Sequence, residues 1–327
     1  MTEDDVVAKI AELCRPATLP RAARFVGIGD DAAVWQPSRS HRSVISTDML
    51  LEDVDFTRAS MSLEDAGWKA MASNVSDLAA MGARPVLATV ALGVPAPMDA
   101  GEILELYGGI AACARSYKLA IAGGDLSRAG AIAIAITVVG EVRPSGIKVR
   151  NGALPGDVLA VTGYLGAARA GLAVSGNATA ISPDLAEEAL AAFRHPMARV
   201  AEGRFLGASR NVHAMIDLSD GLSTDADRLA RASGCGVTIE SVPVARSARA
   251  LARARREDPE RFALAGGEDF ELLAAIHPRA YDHVAARFSA RFGRPLLRVG
   301  VLRAGSGIAW QGVELERSGW DHFDRRA

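Results

Sequence analysis

The segment Asn74–Pro85 (NVSDLAAMGARP) organises the local fold of this chain and marks where its chemistry begins. It closes a long helical pattern, and Gly82 and Pro85 are typical helix-stop residues. Asn74 and Asp77 are three residues apart, which places both polar groups on one helix face. The neighbouring residues are apolar, so the Asp77 carboxylate needs a partner, because burying an unpaired charge is costly. A surface aspartate paired with a nearby Lys or Arg is the simpler alternative.

Length and composition bound the class of protein. A chain of 327 residues is long for one core, so two domains are expected. The formal net charge of -2 gives no general attraction to nucleic acid or to an acidic membrane surface. The longest apolar run, Ala131–Val139, is too short to cross a bilayer and is typical of a buried strand. We therefore predict no nucleic-acid partner and no membrane partner.

The compartment is predicted from the N-terminal segment and the cysteines. The first residues (MTEDDVVAKI) are acidic and polar, unlike a secretory signal. Cys14, Cys113 and Cys235 are odd in number and far apart, and no CxxC pair occurs. Such cysteines are typical of free thiols in a reducing compartment, so a cytoplasmic location is expected.

The order of elements predicts two α/β domains. Short apolar strands alternate with amphipathic helices in both halves of the chain, which is typical of α/β folds. Between them, the segment from residue 143 to 157 (RPSGIKVRNGALPGD) is rich in Gly and Pro and lacks an apolar period. We predict an N-terminal domain at 1–143, a junction at 144–156 and a C-terminal domain at 157–327.

Carboxylates recur directly after short apolar segments that are predicted to be strands. The examples are Asp48 in ISTD, Asp125 in IAGGD, Asp217 and Asp220 in MIDLSD, Glu268 and Asp269 in LAGGED, and the variant Asp30 and Asp31 in VGIGDD. Residues that leave strand ends in α/β sheets line the crevice where ligands bind. Each one alone could be a helix cap or turn residue, as we expect for Asp225 and Asp227. Together with Asp77 they are too many to be caps only, and acids from both halves are expected to converge.

Such a cluster predicts divalent cations and a phosphate-bearing substrate. Clustered carboxylates repel one another unless cations lie between them. The accompanying candidates, Ser46 and Thr47, are also hard oxygen donors, and no His or Cys accompanies them, which favours Mg²⁺ or Mn²⁺ over zinc. Mg²⁺ usually bridges carboxylates to substrate phosphates. A P-loop and a dinucleotide fingerprint are absent. The pairs Gly123-Gly124 and Gly266-Gly267 either let the backbone approach a ligand closely or form plain turns.

Seven motifs, in this order, resemble the thiamine-monophosphate kinases of the aminoimidazole ribonucleotide synthetase-like superfamily. They are GIGDDAAV, STDML, NVSDLAAMGARP, AGGDLSR, IDLSDGL, GGEDFEL and WDHF, and they run from Gly27 to Phe323. The resemblance implies two α/β domains, of which the N-terminal one has a mixed sheet and forms a homodimer through a barrel built from strands. It also implies an ATP-dependent phosphotransferase that uses several Mg²⁺ ions and converts thiamine monophosphate to thiamine diphosphate, the last step of that biosynthesis.

The resemblance also assigns roles to residues that match the motifs. The implied metal ligands are Asp30, Ser46, Thr47, Asp48, Asp77, Asp125, Asp217 and Asp220. The implied ATP contacts are Tyr107, Gly124, Asp125, Arg150 and Ser219. The implied acceptor contacts are Glu268 and Trp320, and also Asp55, which stands where the family often has His.

The implied phosphoryl transfer needs no general base, because the acceptor phosphate, with a second pKa of about 6, is already largely ionised at neutral pH. Three alternatives remain: another ATP-dependent enzyme of the superfamily, a non-catalytic metal-nucleotide sensor, and, for Trp320, a packing role.

Overall fold

A computed structural model of the chain describes residues 2–15, 25–28, 32–176 and 181–315. The chain divides into two compact units. Unit 1 comprises Met1–Leu78 and Ala83–Pro144, and unit 2 comprises Ala79–Gly82 and Ser145–Ala327. Both units combine helices with a mixed sheet, which confirms the predicted two-domain α/β fold. Within the described ranges, no helix is long and apolar enough to cross a membrane.

The first part of the chain contains the helices and strands of unit 1, including helix α2, whose last residues belong to unit 2. The helices are α1 (Glu3–Leu13), α2 (Leu63–Ala80) and α3 (Ala100–Ser116). The strands are β1 (Phe25–Val26), β2 (Val34–Trp35), β3 (Arg42–Leu51), β4 (Arg84–Val94), β5 (Ala120–Arg128) and β6 (Ala133–Val142). The main sheet has the order β3-β6-β4-β5, and its pairs are antiparallel except for β4 with β5. Strands β3 and β5 therefore form its two edges.

Helix α2 forms where the sequence predicts it. The backbone N–H of Asp65 donates to the Ser62 hydroxyl (3.1 Å), and the Asp65 carboxylate accepts from the N–H of Ser62 (3.2 Å), a reciprocal capping arrangement. The helix ends before Gly82, which has φ +71°. A left-handed residue at this position is the usual helix terminator, so the predicted stop signal is confirmed.

The second part of the chain contributes the elements of unit 2. The helices are α4 (Ala167–Ser175), α5 (Pro183–Arg194), α6 (Val200–Gly207), α7 (Leu222–Ala232), α8 (Arg246–Ala254), α9 (Pro259–Leu264) and α10 (Tyr281–Phe292). The strands are β7 (Val158–Val161), β8 (Val212–Asp217), β9 (Gly236–Ile239), β10 (Leu272–Ile276), β11 (Leu297–Arg303), β12 (Ile308–Trp310) and β13 (Val313–Leu315). Their sheet has the order β13-β12-β9-β11-β7-β10-β8, with only β9 and β12 parallel among these strands. Of the predicted junction at 144–156, Pro144 belongs to unit 1 and residues 145–156 belong to unit 2.

The prediction that each carboxylate follows the end of a strand was wrong at three places. Strand β3 continues through Asp48 to Leu51, because ten consecutive residues pair with β6. Strand β5 continues through Asp125, because its pairing with β4 extends to Arg128. The LAGGED acids follow helix α9 and precede a strand. The prediction was right for Asp217, the last residue of β8.

The cysteine prediction is confirmed. Cys14, Cys113 and Cys235 are free and buried. Burial raises the pKa of the Cys14 thiol to about 12, so this sulfur is unreactive at neutral pH.

Candidate functional site

Strand β3 and helix α2 bring three of the predicted metal ligands together in unit 1. The Ser46 hydroxyl donates a hydrogen bond to the Asp77 carboxylate. About one turn earlier in the same helix, the Asn74 side-chain oxygen accepts the backbone N–H of Asp48 (2.9 Å). Asn74 is itself oriented by donating to the Ala70 carbonyl (2.9 Å). The expectation that Asn74 and Asp77 share one helix face is therefore confirmed.

Thr47 lies on the opposite face of β3. Successive side chains of a strand point to opposite faces, so Ser46 and Asp48 share one face while Thr47 lies on the other. There its hydroxyl is 2.6 Å from that of Thr137 on the neighbouring strand β6. On the same face, Ile45 and Met49 are 67% and 54% exposed. This face of the sheet edge is thus apolar and open to solvent.

The Gly123-Gly124-Asp125 segment lies on the other edge strand, β5. The Ser127 hydroxyl donates to the Asp125 carboxylate (2.7 Å). Burial raises the pKa of the Tyr107 hydroxyl, with smaller contributions from Cys14 and from Asp125. A Cβ on Gly124 would lie 1.9 Å from the Val90 carbonyl oxygen, whereas one on Gly123 would meet nothing within 4 Å. Gly124 is therefore required by close packing of β4 against β5.

The sheet order separates Asp48 from Asp125. Asp48 is aligned with Ile136, Ile136 with Val90, and Val90 with Gly124, the residue before Asp125. Three strand spacings of 4.7–4.9 Å place the two edges roughly 14 Å apart. Two aspartate side chains of one chain do not reach a common ion over that distance.

In unit 2, the IDLSDGL and GGEDFEL motifs run side by side. The backbone N–H of Glu268 donates to the Ser219 carbonyl (2.7 Å), and that of Phe270 to the Leu218 carbonyl (2.9 Å). Asp217 pairs with Leu272 at the end of the antiparallel ladder of β8 and β10. Glu268 and Phe270 have φ values of +65° and +48°, an uncommon conformation for residues with side chains. The two motifs thus form one loop pair with a strained backbone.

Asp225 and Arg228 hold the Asp220 end of this loop pair. One oxygen of the Asp225 carboxylate accepts the N–H groups of Asp220 (3.0 Å) and Gly221 (3.1 Å), which confirms its expected local role. The Arg228 guanidinium donates to Asp225 (2.9 Å) and also to Asp220. Burial, reinforced by the charge of Asp220, raises the pKa of Asp225 to about 6. Sequence reasoning missed Arg228, although its position three residues after Asp225 on a helix was a usable signal.

The acids of GGEDFEL have structural roles that the motif alone does not reveal. Both oxygens of Asp269 accept the backbone N–H of Gly166, at 2.9 and 2.8 Å, at the start of α4. The residue is not wholly shielded from solvent, but its carboxyl group is packed among protein atoms, and burial raises its pKa to about 8. Glu271 is buried and accepts from Arg199 (2.7 and 3.0 Å), Arg294 and Thr162.

The other predicted site residues have varied surroundings. Arg150 is exposed, and its carbonyl accepts the Ser233 hydroxyl (3.1 Å). Asp55 accepts the N–H of Leu51 (2.8 Å) with one carboxylate oxygen and so closes its own turn. Asp30 and Trp320 lie outside the described residues. Within the part of the chain that the structure describes, no three His, Cys, Asp or Glu residues are grouped closely enough to hold a metal ion.

Comparison with known proteins places this geometry in a family. Residues 29–142 match the AIR synthase related protein, N-terminal domain, and residues 155–305 match the AIR synthase related protein, C-terminal domain. A thiamine-monophosphate kinase of Rhodopirellula baltica is 40% identical over 91% of this chain and 89% of its own length. The chain belongs to the thiamine-monophosphate kinase family.

Solved structures of the family agree with this assignment. The crystal structure of thiamine-monophosphate kinase from Stenotrophomonas maltophilia K279a is 31% identical, with a TM-score of 0.84 over 96% of this chain and 98% of the other. A structure of AaThiL complexed with AMPPCP and TMP is 28% identical, with a TM-score of 0.77 over 98% of this chain and 97% of the other. The family fold therefore extends over nearly the whole of this chain.

Proposed function

We propose that this chain transfers the γ-phosphoryl group of ATP in line to the phosphate of thiamine monophosphate, giving thiamine diphosphate and ADP. The observation that carries the proposal is the cluster of Ser46, Asp48 and Asp77 on β3 and α2, in a chain of this family. The AaThiL structure, which holds AMPPCP and TMP, supports the pair of substrates. This reaction would be the last step of thiamine diphosphate biosynthesis.

The donor set fits Mg²⁺. The clustered side chains of unit 1 offer carboxylate and hydroxyl oxygens, which are the ligands that Mg²⁺ prefers. The residues that would hold the ions are Asp30, Ser46, Asp48, Asp77 and Asp125 of unit 1 and Asp217 and Asp220 of unit 2. The resemblance also implies Thr47, but its hydroxyl lies on the opposite face of β3 and would not share an ion with Ser46 and Asp48. When bound, Mg²⁺ offsets the repulsion between two polyanionic substrates and stabilises charge on the transferring phosphoryl group.

The remaining groups would orient the substrates. Tyr107, Gly124, Asp125, Arg150 and Ser219 would contact ATP, and Glu268, Trp320 and Asp55 would contact the acceptor. The acceptor phosphate has a second pKa of about 6 and is already a nucleophile at neutral pH. The chain then needs no general base, and its residues act by positioning and by electrostatic stabilisation.

The positions of Asp48 and Asp125 favour a site shared by two copies of the chain. They lie on opposite edges of the sheet, roughly three strand spacings apart. If two sheets close into one barrel, an edge strand of one copy lies beside an edge strand of the other, and barrels leave no open edge. The exposed Ile45 and Met49 on the open face supply apolar surface for such an association. We therefore propose a homodimer in which Asp125 of one copy joins Asp48 of the other.

One assay tests the proposed function. The purified protein is incubated with thiamine monophosphate and γ-labelled ATP, with Mg²⁺ or with excess chelator, and the products are separated by chromatography. We expect labelled thiamine diphosphate only with Mg²⁺, and a severe loss of turnover in Asp48→Asn without loss of fold. ATP binding without thiamine diphosphate formation would instead indicate a nucleotide sensor, and undiminished turnover by Asp48→Asn would remove that residue from the site.

A further inference from the structure

Arg228 on helix α7 bridges two carboxylates of unit 2. One guanidinium nitrogen, Nη1, donates to the Asp225 carboxylate (2.9 Å) and also to Oδ2 of Asp220. The two acids differ in their access to solvent, because the side chain of Asp225 is 1% exposed and that of Asp220 is 23% exposed. The bridge therefore has a buried end at Asp225 and an accessible end at Asp220.

The buried end fixes the guanidinium. Oδ2 of Asp225 accepts the N–H groups of Asp220 (3.0 Å) and Gly221 (3.1 Å), and its Oδ1 accepts from Arg228. Asp225 and Arg228 are three residues apart on one helix, so they remain neighbours whatever Asp220 does. Withdrawal of the guanidinium would leave a buried carboxylate without its positive partner, which is costly. The charge of Arg228 is thus a fixed feature beside the loop that carries Asp220.

The accessible end involves a residue that would hold Mg²⁺. The guanidinium already donates to Oδ2 of Asp220, and a divalent ion would use the same carboxylate. Mg²⁺ needs a strict octahedral arrangement of its oxygen ligands. A unit positive charge close to the ion repels it. The ion therefore binds Asp220 either against the charge of Arg228 or after the carboxylate has turned away from it, and Arg228 weakens metal binding in both cases.

We propose that Arg228 is a positioning residue that competes with the divalent cation for Asp220. It neutralises and holds Asp220 in the metal-free chain, and so it sets the metal concentration at which this loop is loaded. The inference rests on the proposed function for the role of Asp220 as a metal ligand. It goes beyond that function because it assigns an internal counter-ion, on a helix residue after the IDLSDGL motif, to the metal site of unit 2. A purely structural role predicts the opposite sign, since a loosened loop would bind the metal more weakly.

The test measures binding of Mn²⁺ to the full chain by calorimetry, without nucleotide. Mn²⁺ shares the preference of Mg²⁺ for oxygen ligands. Arg228→Gln keeps hydrogen-bond donors but removes the charge, and we expect the Kd for Mn²⁺ to fall about threefold or more, the size of effect of a partly exposed ion pair. Arg228→Lys retains the charge and should leave the Kd within about twofold of the wild-type value.

Arg231→Gln is the matched control for the loss of one positive charge. Arg231 lies on the same helix, its side chain is 63% exposed, and its nearest acid is Asp227 at 3.9 Å. Solvent and salt screen such an exposed charge, so the Kd for Mn²⁺ should change less than about twofold. Circular dichroism verifies that each variant is folded. If Arg228→Gln does not fold, Arg228→Gln/Asp225→Asn removes the buried charge together with its partner and carries the same expectation.

A second background shows whether the effect passes through Asp220. In Asp220→Asn, the further change Arg228→Gln should no longer alter the Kd for Mn²⁺, because the two residues act on the metal as a pair. An unchanged or higher Kd in Arg228→Gln would overturn the inference. A lower Kd that persists in the Asp220→Asn background would overturn it too, as would the absence of measurable Mn²⁺ binding to all of these chains.

The outcomes separate this inference from the proposed function. If the Kd falls through Asp220 but the wild-type chain forms no thiamine diphosphate, the inference is supported and the proposed function fails. If the wild-type chain is an active Mg²⁺-dependent kinase and the Kd of Arg228→Gln is unchanged, the proposed function stands and the inference is overturned.

Discussion

The two units position their acidic residues by different means. In unit 1, Asp48 and Asp125 lie inside edge strands, so the pairing register of the sheet fixes their places. In unit 2, Asp220 lies in a loop that is held by the Asp225 carboxylate and the Arg228 guanidinium. A strand position cannot shift without breaking a ladder of hydrogen bonds, whereas a loop depends on the few side chains that support it.

The difference predicts where each unit tolerates change. In unit 1, replacing an acid removes a charge but leaves the sheet intact, because the backbone of the strand carries the structure. In unit 2, replacing a supporting residue affects the shape of the loop and the stability of the unit together. Four predictions test this contrast, and they are ordered by the expected size of the effect.

The largest effect is expected for the two edge-strand acids of unit 1. Asp48→Asn and Asp125→Asn should each lower kcat about 10²–10³-fold, the usual loss when a preorganised electrostatic group is removed. Far-ultraviolet circular dichroism should be unchanged, because neither side chain is part of the strand ladder. If the site is shared, mixing and reassociating the two variants should restore about one quarter of wild-type activity, since half of the dimers are mixed and each has one intact site.

The control for this prediction is the double variant Asp48→Asn/Asp125→Asn mixed with either single variant. No mixed dimer of these chains contains both acids in one shared site, so activity should stay at the background of the single variants. A mixture of the two single variants that also stays at background, with subunit exchange verified by native mass spectrometry, would contradict a shared site.

The second prediction separates the two adjacent glycines of unit 1. Gly124→Ala should lower the free energy of unfolding by about 3 kcal/mol, because its Cβ would lie 1.9 Å from the Val90 carbonyl oxygen and overpacking strains the sheet. Gly123→Ala is the matched control, since its Cβ meets nothing within 4 Å, and it should change stability by less than about 1 kcal/mol. Urea unfolding followed by circular dichroism measures both. Equal free energies of unfolding for Gly124→Ala and Gly123→Ala would mean that Gly124 is needed only for binding a ligand.

Sequence periodicity predicted most of the elements because their apolar faces are regular. Helix α2 ends just before the predicted stop residues Gly82 and Pro85. Helix α7 begins and ends at the residues that its helical sequence pattern predicts. The strand ends were less predictable, because Asp48 and Asp125 interrupt an apolar pattern without ending the strand. Edge strands have only one hydrogen-bonded neighbour and tolerate such residues.

The candidate site was predictable in its residue types but not in its arrangement. The motif at Asn74 and Asp77 indicated one polar face, and the structure adds Ser46 and the backbone of Asp48 as its contacts. Strand order is a long-range property, so no local pattern shows that Asp48 and Asp125 lie on opposite edges.

The third prediction concerns the support of the unit 2 loop. Arg228→Ala should lower the free energy of unfolding by about 2 kcal/mol, because it leaves the buried Asp225 carboxylate without its guanidinium partner. Arg231→Ala is the matched control on the same helix: its side chain is 63% exposed and lies 3.9 Å from Asp227, so the expected loss is below about 0.5 kcal/mol. Urea unfolding compares the two. Similar losses in both variants would show that the loop does not depend on the Asp225–Arg228 pair.

Near pH 5 the smallest effect of the four is expected for Asp269→Asn in unit 2, and this effect should grow with pH. Burial raises the pKa of Asp269 from 3.8 to about 8, so the folded chain holds a proton that the unfolded chain releases above pH 4. The stabilisation is therefore fully present below pH 4 and is lost as the pH rises through 8. Near pH 5 the neutral amide should replace the neutral acid at a cost below about 0.5 kcal/mol. Between pH 5 and 8 the wild-type chain should lose stability relative to Asp269→Asn, as measured by urea unfolding at both values.

Asp258→Asn, at an exposed aspartate that caps α9, is the control and should show no such trend. A difference between wild type and Asp269→Asn that stays constant over this range would mean that the Asp269 carboxyl is ionised in the folded chain, and that the N–H of Gly166 outweighs its burial.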